Sequence, residues 1–300
     1  MANLYTYQDQ NIRRTWILFI VFFVVVAGIG WVFSQAYADN SFLIFAVLFS
    51  VIYSFISYWS SAGIALALAR AVLIEKKDNP QLYNIVENLC IASGLPQPKI
   101  YITPERQINA FATGRDAKHA AVAVTAGALE RLNKDELEGV LAHELSHVGN
   151  RDILVSTVAA VLAGVISLLA DVFLRSLFWG GGRRGGRNDE AGEIFFIVAI
   201  ALSILAPIGT MLIQFAISRR REALADASGV LLTRYPEGLI SALTKIGADQ
   251  TPMASAKDST AHLWIDNPFK GSQVSWWHKL LMTHPPIEER ITALKGMETK

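Results

Sequence analysis

Apolar residues in this 300-residue chain gather into long blocks in some regions and fall into short periodic patterns in others. Four blocks, 15–38, 41–69, 153–178 and 194–218, are each long enough for an apolar helix to cross the roughly 30 Å hydrocarbon layer of a bilayer. The third is interrupted by Asp171, which has Arg175 one helical turn further on, a spacing that lets the two pair at a membrane boundary. Between the second and third blocks the pattern changes. Asn79-Pro80 opens a helix that runs to Ser93, with Leu82, Ile85, Val86 and Leu89 on one face. Three short, turn-bounded segments, 99–103, 108–113 and 120–125, read as strands, the last alternating Ala-Val-Ala-Val-Thr. Asn133 followed by Glu136 forms a capping-box start, and Leu137, Val140, Leu141, Leu145 and Val148 then repeat at helical spacing. Beyond the fourth block come a helix from Pro236 to about Gly247, a polar stretch 249–260 that reads as a mobile connection, and a closing helix 287–297. These elements predict a mainly α membrane protein: an anchor of two transmembrane helices (1–70), a first soluble part with a small β-sheet (71–152), a membrane hairpin (153–218) and a second soluble part (219–300).

Composition agrees with that class, since 52% of residues are hydrophobic and the mean hydropathy is +0.33. The first block follows Arg13 and Arg14 and has no small-residue cleavage site close behind it, so an uncleaved anchor is expected. Arg13, Arg14, Arg70, Lys76 and Lys77 flank one end of the first two blocks and the connection 34–41 has no Lys or Arg, which predicts cytoplasmic termini. The hairpin of blocks three and four returns both its ends to that side. Its Gly-rich tip carries Arg183, Arg184 and Arg187 against this bias, so either a short basic loop is tolerated there or the hairpin is buried without fully crossing. No Gly-Lys-Ser/Thr follows the tip, which reads as a linker rather than a phosphate loop. A net charge of +1 without a recognisable motif predicts no nucleic-acid partner. The single Cys90 has no intramolecular disulfide partner and, between Leu89 and Ile91, suits a buried helix position.

Chemistry concentrates in His143-Glu144-Leu145-Ser146-His147. On a helix, histidines four residues apart lie on one face and reach a single metal ion, and the adjacent Glu144 is placed to serve as general base of a metalloprotease. Asn150 and Ile153 stand where a metzincin would place Gly and a third His, so the third ligand is expected from a carboxylate on a later helix. Glu222, in Ser218-Arg219-Arg220-Arg221-Glu222-Ala223-Leu224-Ala225-Asp226, is the best candidate, the alternative being a salt-bridged segment beside the membrane. Pro207 and Gly209 should bend the fourth block before it leaves the bilayer and delivers Glu222.

Together with Asn109-Ala110-Phe111-Ala112-Thr113-Gly114, the motif segments resemble the HtpX family of bacterial membrane metalloproteases, which shares motifs with the CAAX prenyl endopeptidases. The resemblance spans nearly the whole chain. It implies that His143, His147 and Glu222 bind one Zn²⁺ in a gluzincin-type cytosolic α+β domain, that Glu144 is the base, and that internal peptide bonds of membrane proteins are hydrolysed. It also suggests Asn109, Ala110, Phe111 and Ala112 as a substrate-binding edge strand, although the sequence leaves an inner strand equally open. Thr283-His284-Pro285-Pro286 resembles the family's C-terminal motif, where His284 stabilises developing negative charge or simply shapes a turn.

The mechanism expected has three protein ligands, an open position for water, and Glu144 moving a proton from water to the leaving amine. Asp226, and with less claim Asp152, would fix a histidine through its other ring nitrogen, unless an arginine among 219–221 takes Asp226 instead. Expected partners are the lipid bilayer and membrane-protein or unfolded polypeptide substrates, at the inner or plasma membrane and in protein quality control; the sequence sets no oligomeric state. A channel would place its ionisable groups within the spans, whereas here only Asp171 and Arg175 lie there. An inactive zinc-binding scaffold has no need of Glu144, and prenyl-peptide processing would call for more spans to enclose a lipidated peptide. Trp276-Trp277 suits packing into the soluble domain slightly better than the membrane interface.

Overall fold

A computed structural model describes residues 4–180, 219–270 and 285–297. The fourth apolar block, the Gly-rich tip, Trp276, Trp277 and His284 lie outside these residues, as do the side chains of Asp171 and Arg175. Helices α1 (Leu4–Tyr37) and α2 (Ser41–Leu68) form an antiparallel hairpin. Gly30 permits it: a Cβ there would stand 2.3 Å from the Ala46 side chain, so only the bare glycine lets the helices touch at that level. Helix α6 (Asp152–Gly180) packs against both, with Val155, Val158 and Leu162 meeting Leu18, Phe22 and Val26. Among the described residues, three helices are long and apolar enough to cross a membrane, over Asp9–Gln35, Ser41–Leu68 and Asp152–Leu169. The first two expose most of their apolar surface, including Ile20, Val24, Phe45 and Ile52, whereas the third is mostly enclosed by protein.

Outside these helices the described residues form a four-stranded mixed sheet in the order β1 (Val72–Leu73), β2 (Lys99–Thr103), β4 (Ala120–Thr125), β3 (Ala110–Gly114). β2 and β4 are parallel, and the outer pairs are antiparallel. Both faces of β4 are covered. Val122 and Val124 enter a core with Leu82, Val86, Leu141 and Leu145, from α3 (Pro80–Ser93) and α5 (Lys134–Gly149), while Ala121 and Ala123 meet the end of α2 and Trp264. That two-sided burial is why an alternating sequence contains only apolar and small residues. Helix α3 starts where the Asn79 side chain accepts from the Leu82 N–H and ends at Gly94, whose φ of +70° suits a residue without Cβ. The buried Cys90 thiol is pushed up to about 11 by burial, which keeps it an inert core group.

Helix α5 begins with the capping box expected: Asn133 and Glu136 exchange side-chain to backbone hydrogen bonds of 2.9 and 2.8 Å. Glu136 also accepts from Ser241 and Lys245 of α8 (Pro236–Ala248), at 2.7 Å each. Helix α7 (Arg219–Thr233) lies along α5, and α9 (Ile287–Lys295) closes over α7 and α8. The short helix α4 (Ala126–Arg131) leads from β4 towards α5. The polar stretch 249–260 is irregular, but it is tied down rather than loose. Glu105 accepts from the backbone N–H groups of Ala254 and Ser255, and Gln107 donates to the carbonyl of Thr251. Its order comes from buried polar partners distant in sequence, which leave no periodicity to read.

Candidate metal centre

Helix α5 brings the two histidines of its motif onto one face, ring centroids 4.8 Å apart and planes at 89°. Their Nε2 atoms are 3.2 Å apart. Glu222, from the first turns of α7, completes a triangle, with carboxylate oxygens 3.7 Å from His143 Nε2 and 3.6 Å from His147 Nε2. Among the described residues this cluster alone offers three metal-ligating atoms within 4.8 Å of one another. Close approach of α7 to α5 makes it possible. A Cβ on Gly229 would sit 3.0 Å from the backbone nitrogen of His143, so a bare glycine brings the two helices together beside the first histidine.

Each histidine is held from behind by a different carboxylate. Asp226, one turn after Glu222, places Oδ1 2.8 Å from His143 Nδ1, and Asp152 places Oδ2 3.1 Å from His147 Nδ1. An Nδ1–H donor on each ring leaves both Nε2 lone pairs facing one another, an arrangement that is repulsive without a cation between them. Ligand atoms about 2 Å from one tetrahedral ion are separated by about 3.3 Å, close to the spacing found here, so the donor set fits a metal. Burial would lower the pKa of His147, but the carboxylates of Glu222, Asp152 and Glu144 reverse that and raise it to about 9, so they favour a positive charge at His147 Nε2, supplied either by a proton or by the metal that displaces it. Glu144 itself is buried at 3% exposure, next to His143 on α5.

Two residues that the sequence did not single out, Arg290 and Asn11, complete the surroundings together with Arg221 of the arginine cluster. Arg290 of α9 grips Asp226 through Nε at 2.9 Å and Nη2 at 2.6 Å. Burial works against the Asp226 carboxylate, yet Arg290 and His143 together hold it well below the usual carboxylate range. Arg221 lies 3.3 Å from Asp152 and donates to Asn11 at 3.1 Å, so this arginine of the 219–221 cluster serves Asp152 rather than Asp226. Asn11 of α1 donates to Asp152 at 2.7 Å and to the Asn150 carbonyl at 3.1 Å, joining the first membrane helix to the His147 side of the site. The one signal in the sequence for Asn11 is a polar residue just ahead of an apolar block.

β3 is an edge of the sheet, and α5 lies against it. Asn109 precedes the strand and its carbonyl accepts from Thr125, so alternation turns Phe111 and Thr113 towards β4 and turns Ala110 and Ala112 outwards. The chain itself occupies part of this edge. The Ala110 carbonyl accepts from Ile265 N–H, the Asn109 amide bonds both backbone groups of Asp266, and Phe111 meets Trp264 edge-on at 4.6 Å. Among the described residues, the outward backbone groups of Ala112 have no backbone partner.

A metal-ligand cluster on a sheet-and-helix core, joined to apolar helices long enough for a bilayer, defines a membrane metallopeptidase. Residues 76–298 match peptidase family M48. The chain is 46% identical over 301 residues to a Protease HtpX homolog of Caldanaerobacter subterraneus subsp. tengcongensis, with 98% of each chain covered. It is 44% identical over 294 residues to a Protease HtpX homolog of Tropheryma whipplei, again covering 98% of both. The crystal structure of S. mikatae Ste24p aligns with a TM-score of 0.49 at 20% identity, over 90% of this chain and 62% of that one. The protein belongs to peptidase family M48 and, within it, to the HtpX proteases.

Proposed function

We propose that the protein is a zinc endopeptidase that cuts membrane-embedded or unfolded polypeptides at the cytosolic face of the plasma or inner membrane, in protein quality control. The observation that carries this reading is the convergence of His143 Nε2, His147 Nε2 and a Glu222 oxygen, with Glu144 beside them. His143, His147 and Glu222 would hold one Zn²⁺ and leave a coordination position open, since two nitrogens and one carboxylate make a catalytic rather than a closed set. When bound, the ion supplies Lewis acidity, polarising a carbonyl and making water a stronger acid. Glu144 accepts the proton of the attacking water and delivers it to the departing amine nitrogen, so the C–N bond breaks as the acid product forms. Asp226 and Asp152 keep both histidines in the Nδ1–H tautomer through the cycle. An extended substrate pairs with the outward groups of Ala112, the part of the 109–112 edge that the chain does not itself occupy.

The bias of Arg13, Arg14, Arg70, Lys76 and Lys77 to one end of α1 and α2 supports a cytosolic site. Residues 1–70 then serve as anchor, 71–152 and 219–300 as the two parts of the protease, and 153–218 as the hairpin between them. The test is metal content of the detergent-purified chain. About one zinc per chain is expected for the native protein and a small fraction of that for Glu222→Gln; full occupancy in the variant removes Glu222 from the ligand set.

A further inference from the structure

A cavity of about 920 Å³ opens where α1 and α2 meet the soluble part. Its lining combines Trp16, Phe19, Phe55 and Trp59 of the two apolar helices with three cations from outside them, Arg115, Lys118 and Arg151. One acid, Asp116, lines it as well, and that carboxylate is engaged by His119 at 2.7 Å and Arg115 at 3.4 Å. Arg115 is stacked 4.2 Å over the Trp59 ring, which fixes a cation at the head of the apolar wall. Among the described residues, neither Lys118 nor the half-buried Arg151 has an ion-pair partner. The rim is therefore a net cationic site above a greasy slot.

Helix lengths place this cavity at a bilayer surface. From Trp16 to the end of α1 is about 31 Å, and from the start of α2 to Trp59 about 27 Å, both close to the hydrocarbon thickness. Among the described side chains, the large exposed apolar ones on α1 lie between Trp16 and Trp31, and on α2 all but Leu68 lie between Phe42 and Trp59. The two tryptophans thus mark the headgroup level at the end nearest the metal centre, a usual position for that residue. Trp16 at 64% and Phe55 at 66% exposure leave the slot open sideways to lipid.

We propose that this cavity binds one anionic phospholipid, with acyl chains along Phe19 and Phe55 and the phosphate held by Arg115, Lys118 and Arg151. Charge favours it over a zwitterionic lipid, since three cations face a single, already paired carboxylate. A polypeptide occupant fits less well, because the free sheet edge at Ala112 is not part of the lining and the slot offers side chains in place of a ladder of backbone groups. The lining includes Val148 and Gly149, which follow His147, and Ile12, which follows Asn11, so the lipid seats the membrane anchor against the helix that carries the metal histidines.

Native mass spectrometry of the detergent-solubilised full chain, with added phosphatidylglycerol or phosphatidylcholine of the same acyl composition, tests this. The native protein is expected to retain one phosphatidylglycerol in preference to phosphatidylcholine. Arg115→Gln with Lys118→Gln should weaken that preference about fivefold per charge removed. Ser54→Phe, which fills the slot without altering charge, should abolish retention while metal content stays at the native level. Equal retention of the two lipids by the native chain, or an unchanged preference in the double variant, overturns the proposal. So does a Ser54→Phe chain that keeps its phosphatidylglycerol while its KM for an unfolded protein rises, since the slot would then belong to polypeptide.

Discussion

Asp226 sets its Oδ1 2.8 Å from Nδ1 of His143, a residue 83 positions earlier whose Nε2 faces the proposed ion. This contact fixes which nitrogen carries the proton and therefore which is free to ligate. Asp226→Asn keeps the shape and loses the charge. Zinc affinity, measured by competition with a chromogenic chelator, should fall about 10- to 100-fold while the helical circular-dichroism signal is retained.

Arg290 acts on stability more than on metal. It and Asp226 are both buried, at 3% exposure each, so Arg290→Ala leaves a carboxylate stranded beside His143. The expected loss is about 3 kcal/mol, with Arg290→Lys recovering part of it because an ammonium cannot reproduce the two-pronged grip. Removing the exposed pair of Lys76 and Glu87 should cost less than about 1 kcal/mol. Denaturant titration in detergent, followed by tryptophan fluorescence, separates the two.

Gly229 tests the approach of α7 to α5. An alanine would add about 1 kcal/mol of intrinsic helix preference, but its Cβ meets the backbone of His143, which has no side-chain freedom with which to yield. Gly229→Ala should therefore lower zinc occupancy; occupancy and cleavage both at native levels would show that α7 has slack beside the site.

How far the sequence discloses this arrangement depends on whether a contact is local. The capping box at Asn133, the strand at 120–125 and the proline-led helices at Pro80 and Pro236 are written in residues a few positions apart, and the structure forms them where the pattern places them. The His143 and His147 pair is of this kind too. Glu222 was accessible only through chemistry, as a carboxylate needed on a later helix. Arg290 and Asn11 were not legible, because each owes its role to partners 64 or more positions away, and a buried arginine or asparagine looks in sequence like any surface polar residue. The 249–260 stretch is the same case: its order is set by Glu105 and Gln107, not by its own pattern.

Asp249 supplies a pH dependence. Burial raises its pKa, but hydrogen bonds from Arg131, Thr251 and the Ile108 N–H overcome this and hold it well below the usual carboxylate range. A depressed folded value means that its stabilisation is complete above the unfolded pKa of about 3.9 and is lost as pH falls through the lower folded value. Asp249→Asn should therefore melt below the native protein at neutral pH, with the difference between them shrinking in acid below about pH 4. A constant difference down to low pH would show that the carboxylate's charge is not what ties 249–260 in place.

The central claim is that Glu144 moves the proton while the two histidines and Glu222 hold the metal, and the most direct test pairs zinc content with casein cleavage for the native chain and Glu144→Ala. We expect about one zinc per chain in both proteins, with cleavage by the native chain alone and its loss on chelation. Undiminished cleavage by Glu144→Ala, or the absence of zinc from both, would contradict the account.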